Sequence, residues 1–175
     1  MQVKIVSTSD VHGYFQADDF QRPNIDLGIG LARAATVINT VKEALDDADI
    51  MLTIDDGDFI QGSPLTNYVH KIDPSTATIY DTLAEEIGYD VRILGNHEFN
   101  YGINYLKSVI SDNTRILNAN ILNIVNNKPF MGEPYHIFTK KGVKIGVIGL
   151  TTKFVPKWER PENIEGLIFA DPVEM

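Results

Sequence analysis

The feature that most limits the fold of this chain is a regular alternation of short apolar runs with stretches of helical spacing. The runs typical of buried strands are residues 3–7, 50–54, 91–94 and 115–117. Apolar side chains recur at helical spacing in residues 29–45, 79–87 and 102–111. Strands that alternate with helices build βαβ units, in which neighbouring strands run parallel and helices cover the sheet. The pattern therefore predicts an α/β fold around a mostly parallel central sheet.

Local signals mark the ends of several elements. Ser75 is predicted to cap the second helix, and Gly88 is predicted to end it in a left-handed conformation. Beyond residue 117 the chain becomes rich in asparagine, and we interpret it as a loop as far as Pro129. Residues 135–139 and 143–150 form a predicted hairpin. The length of 175 residues is typical of one domain.

Charge and composition argue against several classes of function. Lys and Arg number 15 and Asp and Glu 24, so the net charge is −9. A nucleic-acid polymer is a poor partner for such a chain, because phosphate backbones are bound by clustered basic side chains. Cysteine is absent, which excludes disulfides, thiolate zinc sites and cysteine nucleophiles.

The sequence contains no signal for a membrane. No run approaches the ~18 apolar residues that a membrane-spanning helix needs, so we expect no membrane partner. The N-terminus enters a strand-like pattern without a secretory signal. As written, the sequence therefore predicts a cytoplasmic protein, or a cell-surface or periplasmic one if a leader has been removed.

Polar clusters follow three successive predicted strands. They are Asp10-Val11-His12, Gly57-Asp58 and Gly95-Asn96-His97-Glu98. The carboxyl ends of parallel strands meet at one edge of a sheet, where ligands bind. In Asp10-Val11-His12, alternation along an extended strand would direct both outer side chains at one ion. Mixed oxygen and nitrogen donors suit a borderline divalent metal, so the sequence predicts a metal site at this edge.

Each cluster alone has an ordinary structural explanation. Ser9 with Asp10 is a common turn or helix cap, and Gly57-Asp58 and Gly95-Asn96 are common turn pairs. A glycine before Asp58 and before Asn96 also lets the backbone approach a bound ion closely. The conjunction of the three clusters at three strand ends favours the metal site.

These motifs resemble the signature of calcineurin-like metallophosphoesterases. Residues 9–13, 56–65 and 95–102 are similar to the five-prime-nucleotidase group, and most to its bacterial 2′,3′-cyclic-nucleotide 2′-phosphodiesterase/3′-nucleotidase branch. Residues 144–152 also resemble that group, so the resemblance covers nearly the whole chain. It implies a metallo-dependent phosphatase-like α/β sandwich, of which residues 1–175 would be the N-terminal part.

The resemblance also implies a role for each residue of the motifs. Asp10 and His12 would bind one metal ion, Asp58 would bridge two ions, and Asn96 would bind the second. His97 would lie beside the phosphate, to stabilise the transition state or protonate the leaving oxygen. The implied cofactors are two divalent ions, with Mn, Zn, Fe or Co favoured and Mg or Ca compatible. The implied reaction is hydrolysis of nucleotide phosphate esters by metal-activated water.

Two residues depart from the family pattern. Residue 100 is Asn, where many five-prime-nucleotidases have an Asp that partners the catalytic histidine. Asn100 can accept a hydrogen bond from His97 but brings no charge. Asn100 agrees with the cyclic-phosphodiesterase branch, whereas Asp56 stands where that branch commonly has Asn.

The chain also lacks later family elements. Family members continue with further histidine ligands of the catalytic domain and with a nucleoside-binding C-terminal domain. The remaining histidines, His70 and His136, match neither, and we interpret both as surface or interface residues. Trp158 is predicted to be a packing anchor rather than a platform for stacking a base.

Two functions therefore remain open. The first is a dimetal phosphoesterase for nucleotides or other small phosphate esters. The second is a truncated chain without activity of its own, which folds and forms a homodimer through the edge that its missing half would cover. A nucleotide-binding regulatory module is disfavoured, because Gly28-Ile29-Gly30 lacks the third glycine of a phosphate-binding loop.

Overall fold

A four-stranded parallel sheet forms the centre of the molecule. The computed structural model describes residues 1–17, 28–110 and 115–175. The strands β1 (Val3–Thr8), β2 (Ile50–Asp55), β3 (Val91–Ile93) and β4 (Ile116–Leu117) lie side by side in chain order. The first pair is in register from Val3 opposite Ile50 to Thr8 opposite Asp55. The predicted α/β fold with a parallel sheet is thus confirmed.

Helices connect these strands. They are α1 (Leu31–Glu43), α2 (Pro64–Lys71), α3 (Ile79–Ile87), α4 (Ile103–Val109) and the short α5 (Val155–Trp158). Three single 3₁₀ turns, Pro74–Thr78, His97–Phe99 and Pro161–Asn163, complete the helical segments. Within the described residues, every helix is too short or too polar to cross a membrane.

The helices differ from the prediction in two places. Ser75 does not cap α3, because it lies inside a 3₁₀ turn that begins after Asp73. Gly88 does end α3 in the left-handed conformation, with φ of 76°. The helix α2 was not predicted, although Ser63 accepts a hydrogen bond from the backbone N–H of Thr66 as its cap. The predicted end of the last helix, Ser111, falls outside the described residues.

The second half of the chain adds two antiparallel pairs. The strands β6 (Tyr135–Lys140) and β7 (Val143–Ile148) form the predicted hairpin, and Lys141 and Gly142 have the positive φ angles of a tight turn. The expected asparagine-rich loop is wrong in part, because it contains β5 (Ile121–Asn123), which pairs with β8 (Leu167–Phe169). Buried Asn120 donates hydrogen bonds to the carbonyl oxygens of Thr151 and Ala170, which fixes this region to the tail.

Two apolar clusters hold the layers together. The larger one joins the helices to the loops that follow the strands, and its fully buried members include Phe59, Ile60, Tyr80, Phe99 and Leu106. The smaller one lies between the sheet and the hairpin, and comprises Leu52, Ile54, Val91, Leu117 and Phe138. The sheet is therefore covered by the hairpin on one face, and the loops at its carboxyl edge are packed against helices.

Part of the sheet remains uncovered within the described residues. Val3 and Ile5 share a sheet face with Ile50 and Leu52, their register partners, yet they are 44% and 60% exposed. Ile148, on the outer face of the hairpin, is 61% exposed. We call Val3, Ile5 and the free side of β1 the open edge.

Candidate metal centre

The three predicted clusters lie together at the carboxyl edge of the sheet. Hydrogen bonding between β1 and β2 continues past both strands, from the N–H of Asp10 to the oxygen of Gly57 (3.1 Å) and from that of His12 to the oxygen of Asp58 (2.7 Å). The N–H of His97 donates to Oδ1 of Asp58 at 2.7 Å. The backbone of all three loops is therefore connected around Asp58.

Three of the predicted ligands have a left-handed backbone. The φ angles of Asp10, His12 and Asp58 are 55°, 50° and 58°. This conformation costs roughly 1–2 kcal/mol for a residue other than glycine. The expectation that strand alternation orients Asp10 and His12 is wrong, because β1 ends at Thr8 and both residues lie in a turn. Their side chains still converge, with 3.7 Å between Oδ1 of Asp10 and Nε2 of His12.

The imidazole of His12 is oriented for a ligand. Its Nδ1 lies 2.8 Å from the carbonyl oxygen of Gln61. A carbonyl can only accept, so Nδ1 bears the hydrogen and Nε2 has a lone pair that faces the centre. A Cβ added to Gly62 would lie 2.7 Å from Cβ and 3.0 Å from Nδ1 of His12. The loop that contains Gly62 therefore packs tightly against the histidine.

The imidazole of His97, like that of His12, has its Nδ1 next to an acceptor oxygen, in this case the side-chain oxygen of Asn100. Its Nδ1 lies 2.7 Å from Oδ1 of Asn100, so the predicted contact between these residues is present. The rings of His12 and His97 meet edge to face, with centroids 4.8 Å apart.

A compact donor set results from these contacts. One ligand atom each from His12, Asp58 and His97 lies within 4.8 Å of the others, a group that can hold a metal ion. Two neutral imidazole nitrogens and a carboxylate suit a borderline divalent cation, so the residues present fit the metal that the motifs imply. Sequence reasoning expected His97 to face the phosphate, and this geometry also permits it to bind an ion.

Asp10 and Asn96 flank this group. The Asp10 side chain is 63% exposed and also contacts the hydroxyl of Ser9. Asn96 is partly buried at the start of the 3₁₀ turn, and its side chain forms no capping hydrogen bond there. Both side chains are thus available at the rim of the centre.

Glu98 is a functional residue to which the sequence assigned no role. Its carboxylate is 2% exposed and accepts hydrogen bonds from the backbone N–H groups of Asp58 (2.8 Å), Phe59 (2.6 Å) and Gly95 (2.6 Å). Burial raises the pKa of Glu98, and the hydrogen bonds from Phe59 and Asp58 oppose that effect. Glu98 therefore joins the loop that carries Asp58 to the loop that carries Asn96 and His97.

The glycines of the motifs serve the same junction. A Cβ on Gly57 would lie 2.3 Å from the backbone nitrogen of Gly95, and a Cβ on Gly95 would lie 2.3 Å from Oδ1 of Asp58. The two glycines let the loops pack against each other, whereas the sequence suggested close approach to an ion.

Glu159 is a second residue that the sequence analysis missed. Its Oε2 accepts a hydrogen bond from Nδ2 of Asn100 at 2.5 Å. Glu159 is 59 residues from Asn100 and follows α5 outside every motif, so no spacing in the sequence could have indicated the contact.

The other residues singled out from the sequence are not members of the donor group of His12, Asp58 and His97. His70 stacks on Tyr101 with ring centroids 3.9 Å apart, and His136 lies 3.7 Å from Glu133. Asp56 is exposed. The prediction of Trp158 as a packing anchor is wrong, because the side chain is 64% exposed and touches Phe154 at a centroid distance of 6.1 Å.

Comparison with known families assigns the fold of this chain. Residues 3–172 match the model of the calcineurin-like phosphoesterase family. The chain belongs to this family. The family resemblance stated from the sequence is therefore confirmed. The roles of Asp10, His12, Asp58, Asn96 and His97 stay predictions.

Relatives of this phosphoesterase chain are considerably longer. It is 34% identical to a 5′-nucleotidase of Vibrio cholerae, over 99% of the chain and 29% of the relative. It is 31% identical to a 2′,3′-cyclic-nucleotide 2′-phosphodiesterase/3′-nucleotidase of Haemophilus influenzae, over 96% of the chain and 27% of the relative. A candidate 5′-nucleotidase structure from Staphylococcus aureus superimposes with a TM-score of 0.88 at 36% identity, covering 98% of this chain and 33% of that one. The chain thus spans about a third or less of these proteins.

Proposed function

We propose that this chain is the N-terminal part of the catalytic domain of a dimetal phosphoesterase that hydrolyses nucleotides. The activity would be of the 5′-nucleotidase or the 2′,3′-cyclic-nucleotide 2′-phosphodiesterase/3′-nucleotidase type. Similarity to relatives with those names supports the substrate class. The observation that carries the proposal is the convergence of donors from His12, Asp58 and His97 at the carboxyl edge of the sheet.

The chain's residues divide the work as the motifs imply. Asp10 and His12 would hold one divalent ion, Asp58 would serve both ions, and Asn96 would hold the second. Bound divalent ions would supply a lowered pKa for water and positive charge for phosphoryl oxygens. His97, oriented by Asn100, presents Nε2 to the phosphate or the leaving oxygen.

The surroundings of the centre support a small substrate. A groove of about 380 Å³ lies beside the loop that holds His12, lined among others by Gln61, Asn67 and Tyr101. This volume lies within the usual range for small-molecule sites, which is roughly 300–1,000 Å³. The groove therefore has room for a small molecule of the size of a mononucleotide.

A hydrolysis screen tests the proposal. The longest available form of the protein is incubated with Mn²⁺ and, separately, 2′,3′-cyclic nucleotides, nucleoside 3′- and 5′-monophosphates and sugar nucleotides. We expect hydrolysis that needs metal, measured as free phosphate for the monophosphates and by chromatography of the nucleotide products for the cyclic and sugar nucleotides. This hydrolysis should be lost in Asp58→Asn but not in Asp47→Asn, an exposed aspartate at the opposite end of β2. Metal-independent hydrolysis, or equal hydrolysis by both variants, would contradict the proposal.

A second function is supported by the open edge. A chain without hydrolytic activity of its own would associate with a second copy through the open edge, where Val3 and Ile5 are exposed among the described residues. Light scattering after size-exclusion chromatography distinguishes the two states. A dimer that dissociates in an Ile5→Lys variant supports this function, and a monomer at high concentration rejects it.

A further inference from the structure

We propose that Glu159, acting through Asn100, sets the tautomer and orientation of His97. In this arrangement Glu159 is a positioning residue, and His97 is held with its hydrogen on Nδ1 and its lone pair on Nε2. The inference rests on the proposed function only in so far as His97 works at the phosphate. The inference is argued from hydrogen bonds between the carboxylate, amide and imidazole groups of this chain.

The three side chains form a continuous line of short hydrogen bonds. Oε2 of Glu159 lies 2.5 Å from Nδ2 of Asn100, and Oδ1 of Asn100 lies 2.7 Å from Nδ1 of His97. Asn100 and His97 belong to the third loop of the centre, whereas Glu159 follows α5. The line therefore joins the centre to a distant segment of the chain.

The carboxylate determines which way the Asn100 amide points. An ionised carboxylate only accepts hydrogen bonds, so the NH₂ group of Asn100 must face Glu159. A flipped amide would place its oxygen against the carboxylate oxygen and its NH₂ against His97. The oxygen of Asn100 consequently faces His97 and accepts, which places the imidazole hydrogen on Nδ1.

Glu159 is itself held firmly. Its Oε1 accepts from Nδ2 of Asn163 at 2.9 Å and from the backbone N–H of Arg160 at 2.8 Å. Nδ2 of Asn163 also lies 3.0 Å from the carbonyl oxygen of Asn100. Both carboxylate oxygens are thus oriented by donors, and the segment around Asn163 is fixed to the loop of Asn100.

The arrangement explains how a neutral Asn at residue 100 can stand where many five-prime-nucleotidases have an Asp beside the histidine. An aspartate there would place a carboxylate directly against the imidazole, whereas Asn100 is neutral. The carboxylate of Glu159 stands one side chain further away, and the polarised amide transmits its direction to His97. A chain of three residues, Glu159, Asn100 and His97, thus stands in place of a directly paired carboxylate and histidine.

Nuclear magnetic resonance of the ¹⁵N-labelled, metal-free chain tests the inference without requiring activity. At a pH well above ~6.5, the ordinary histidine pKa, the ring ¹⁵N shifts report which nitrogen bears the hydrogen. A His97→Ala spectrum assigns the signals. In the unmodified chain we expect only the Nδ1–H form of His97. In Glu159→Ala we expect a mixture, in which the signal of the Nε2–H form appears beside that of the Nδ1–H form.

Matched variants complete the experiment. Glu162→Ala, an exposed glutamate on the same segment, should leave the tautomer unchanged. In the double variant Asn100→Asp with Glu159→Ala, a direct carboxylate should restore the Nδ1–H form. The glutamine of the near-isosteric Glu159→Gln has only one acceptor oxygen for the donors of Asn100, Asn163 and Arg160, so this variant should also give a mixture of the two tautomers. It replaces Glu159→Ala in the experiment if that variant does not fold. An unchanged Nδ1–H signature in the folded Glu159 variants would overturn the inference.

The outcomes separate this inference from the proposed function. A changed tautomer in a protein that hydrolyses no nucleotide would retain the positioning role and reject the nucleotidase activity. Robust hydrolysis with an unaltered tautomer would do the reverse.

Discussion

Asp58 is the residue on which the centre depends most. It is 9% exposed, its backbone is left-handed, and its Oδ1, N–H and carbonyl oxygen all form hydrogen bonds to the neighbouring loops. Its neighbours His12 and His97 each have one ring nitrogen engaged by a fixed acceptor. At this scale the centre is an arrangement of side chains whose free donor atoms already face one point.

Replacement of Asp58 by asparagine should weaken metal binding. The variant keeps the shape of the side chain and can still accept from the N–H of His97, but it removes the negative charge that would lie between two bound cations. We expect Mn²⁺ affinity to fall by about 10- to 100-fold, as measured by titration calorimetry. Asp47→Asn is the control, and equal affinities of the two variants would reject Asp58 as a ligand.

Replacement of His97 by alanine distinguishes its two roles. If His97 faces the phosphate, turnover in an active form of the protein should fall by about 10²-fold or more, while metal content stays constant. Elemental analysis of the purified variant measures the metal. His136→Ala is the control, and the loss of one ion in His97→Ala would make His97 a ligand instead.

The elements of the fold were predictable where a periodic pattern or a motif marks them. The four parallel strands and the hairpin follow from apolar runs, and the residues Asp10, His12, Asp58, Asn96 and His97 follow from their position after strands. The α2 helix was missed because its apolar face is short, although Ser63-Pro64 is a start signal. Glu159 could not be found from sequence, because its contact with Asn100 depends on how a distant segment packs.

The junction between the second and third loops should tolerate no side chain at Gly57. In Gly57→Ala, the φ of 93° adds strain, and the Cβ would lie 2.3 Å from a backbone nitrogen that cannot rotate away. We expect a loss of more than ~2 kcal/mol in the free energy of unfolding, measured with urea. In Gly88→Ala, the φ is 76° but nothing lies within 4 Å of the new Cβ, so about 1 kcal/mol should be lost. Equal losses would show that the loops can separate without cost.

The contact between β2 and β3 makes stability depend on pH. Desolvation raises the pKa of Asp55 to about 6, although Arg92, whose Nε lies 3.3 Å away, lowers it. The folded state therefore binds a proton more tightly than the unfolded state, whose value is 3.8. This contribution to stability is present below pH 3.8 and lost as the pH rises to about 6, by at most ~3 kcal/mol.

Asp55→Asn tests that dependence. The variant has no carboxyl to titrate at residue 55, so its free energy of unfolding should fall less between pH 4 and 7 than that of the unmodified chain. Urea titrations at both pH values measure the difference. Identical pH profiles of the two proteins would contradict a raised pKa of Asp55.

At the scale of the whole molecule, the chain contains the motifs but spans about a third or less of its relatives. The family resemblance implies further histidine ligands, and we expect them in the part of the relatives that this chain does not span. Water would have to complete the coordination of each ion, and the aspartates at the edge would lack part of their compensating charge.

We therefore expect the 175-residue chain to fold but to bind Mn²⁺ weakly and to hydrolyse nucleotides poorly. Titration calorimetry with Mn²⁺, together with a phosphodiesterase assay, measures both properties. A longer form of the protein is the comparison. Two tight sites and rapid turnover in the short chain would show that these residues complete the centre by themselves.

The hydrogen bonds that continue from the sheet into the loops affect how the centre opens. The amides of Asp10 and His12 are hydrogen-bonded to the loop that follows β2, directly beyond the ladder between β1 and β2, so we expect them to open together with this end of the sheet. An opening that frees His12 must also break pairing next to the central strands. We therefore expect the backbone that holds His12 to be in place once the sheet has folded, before any cation binds.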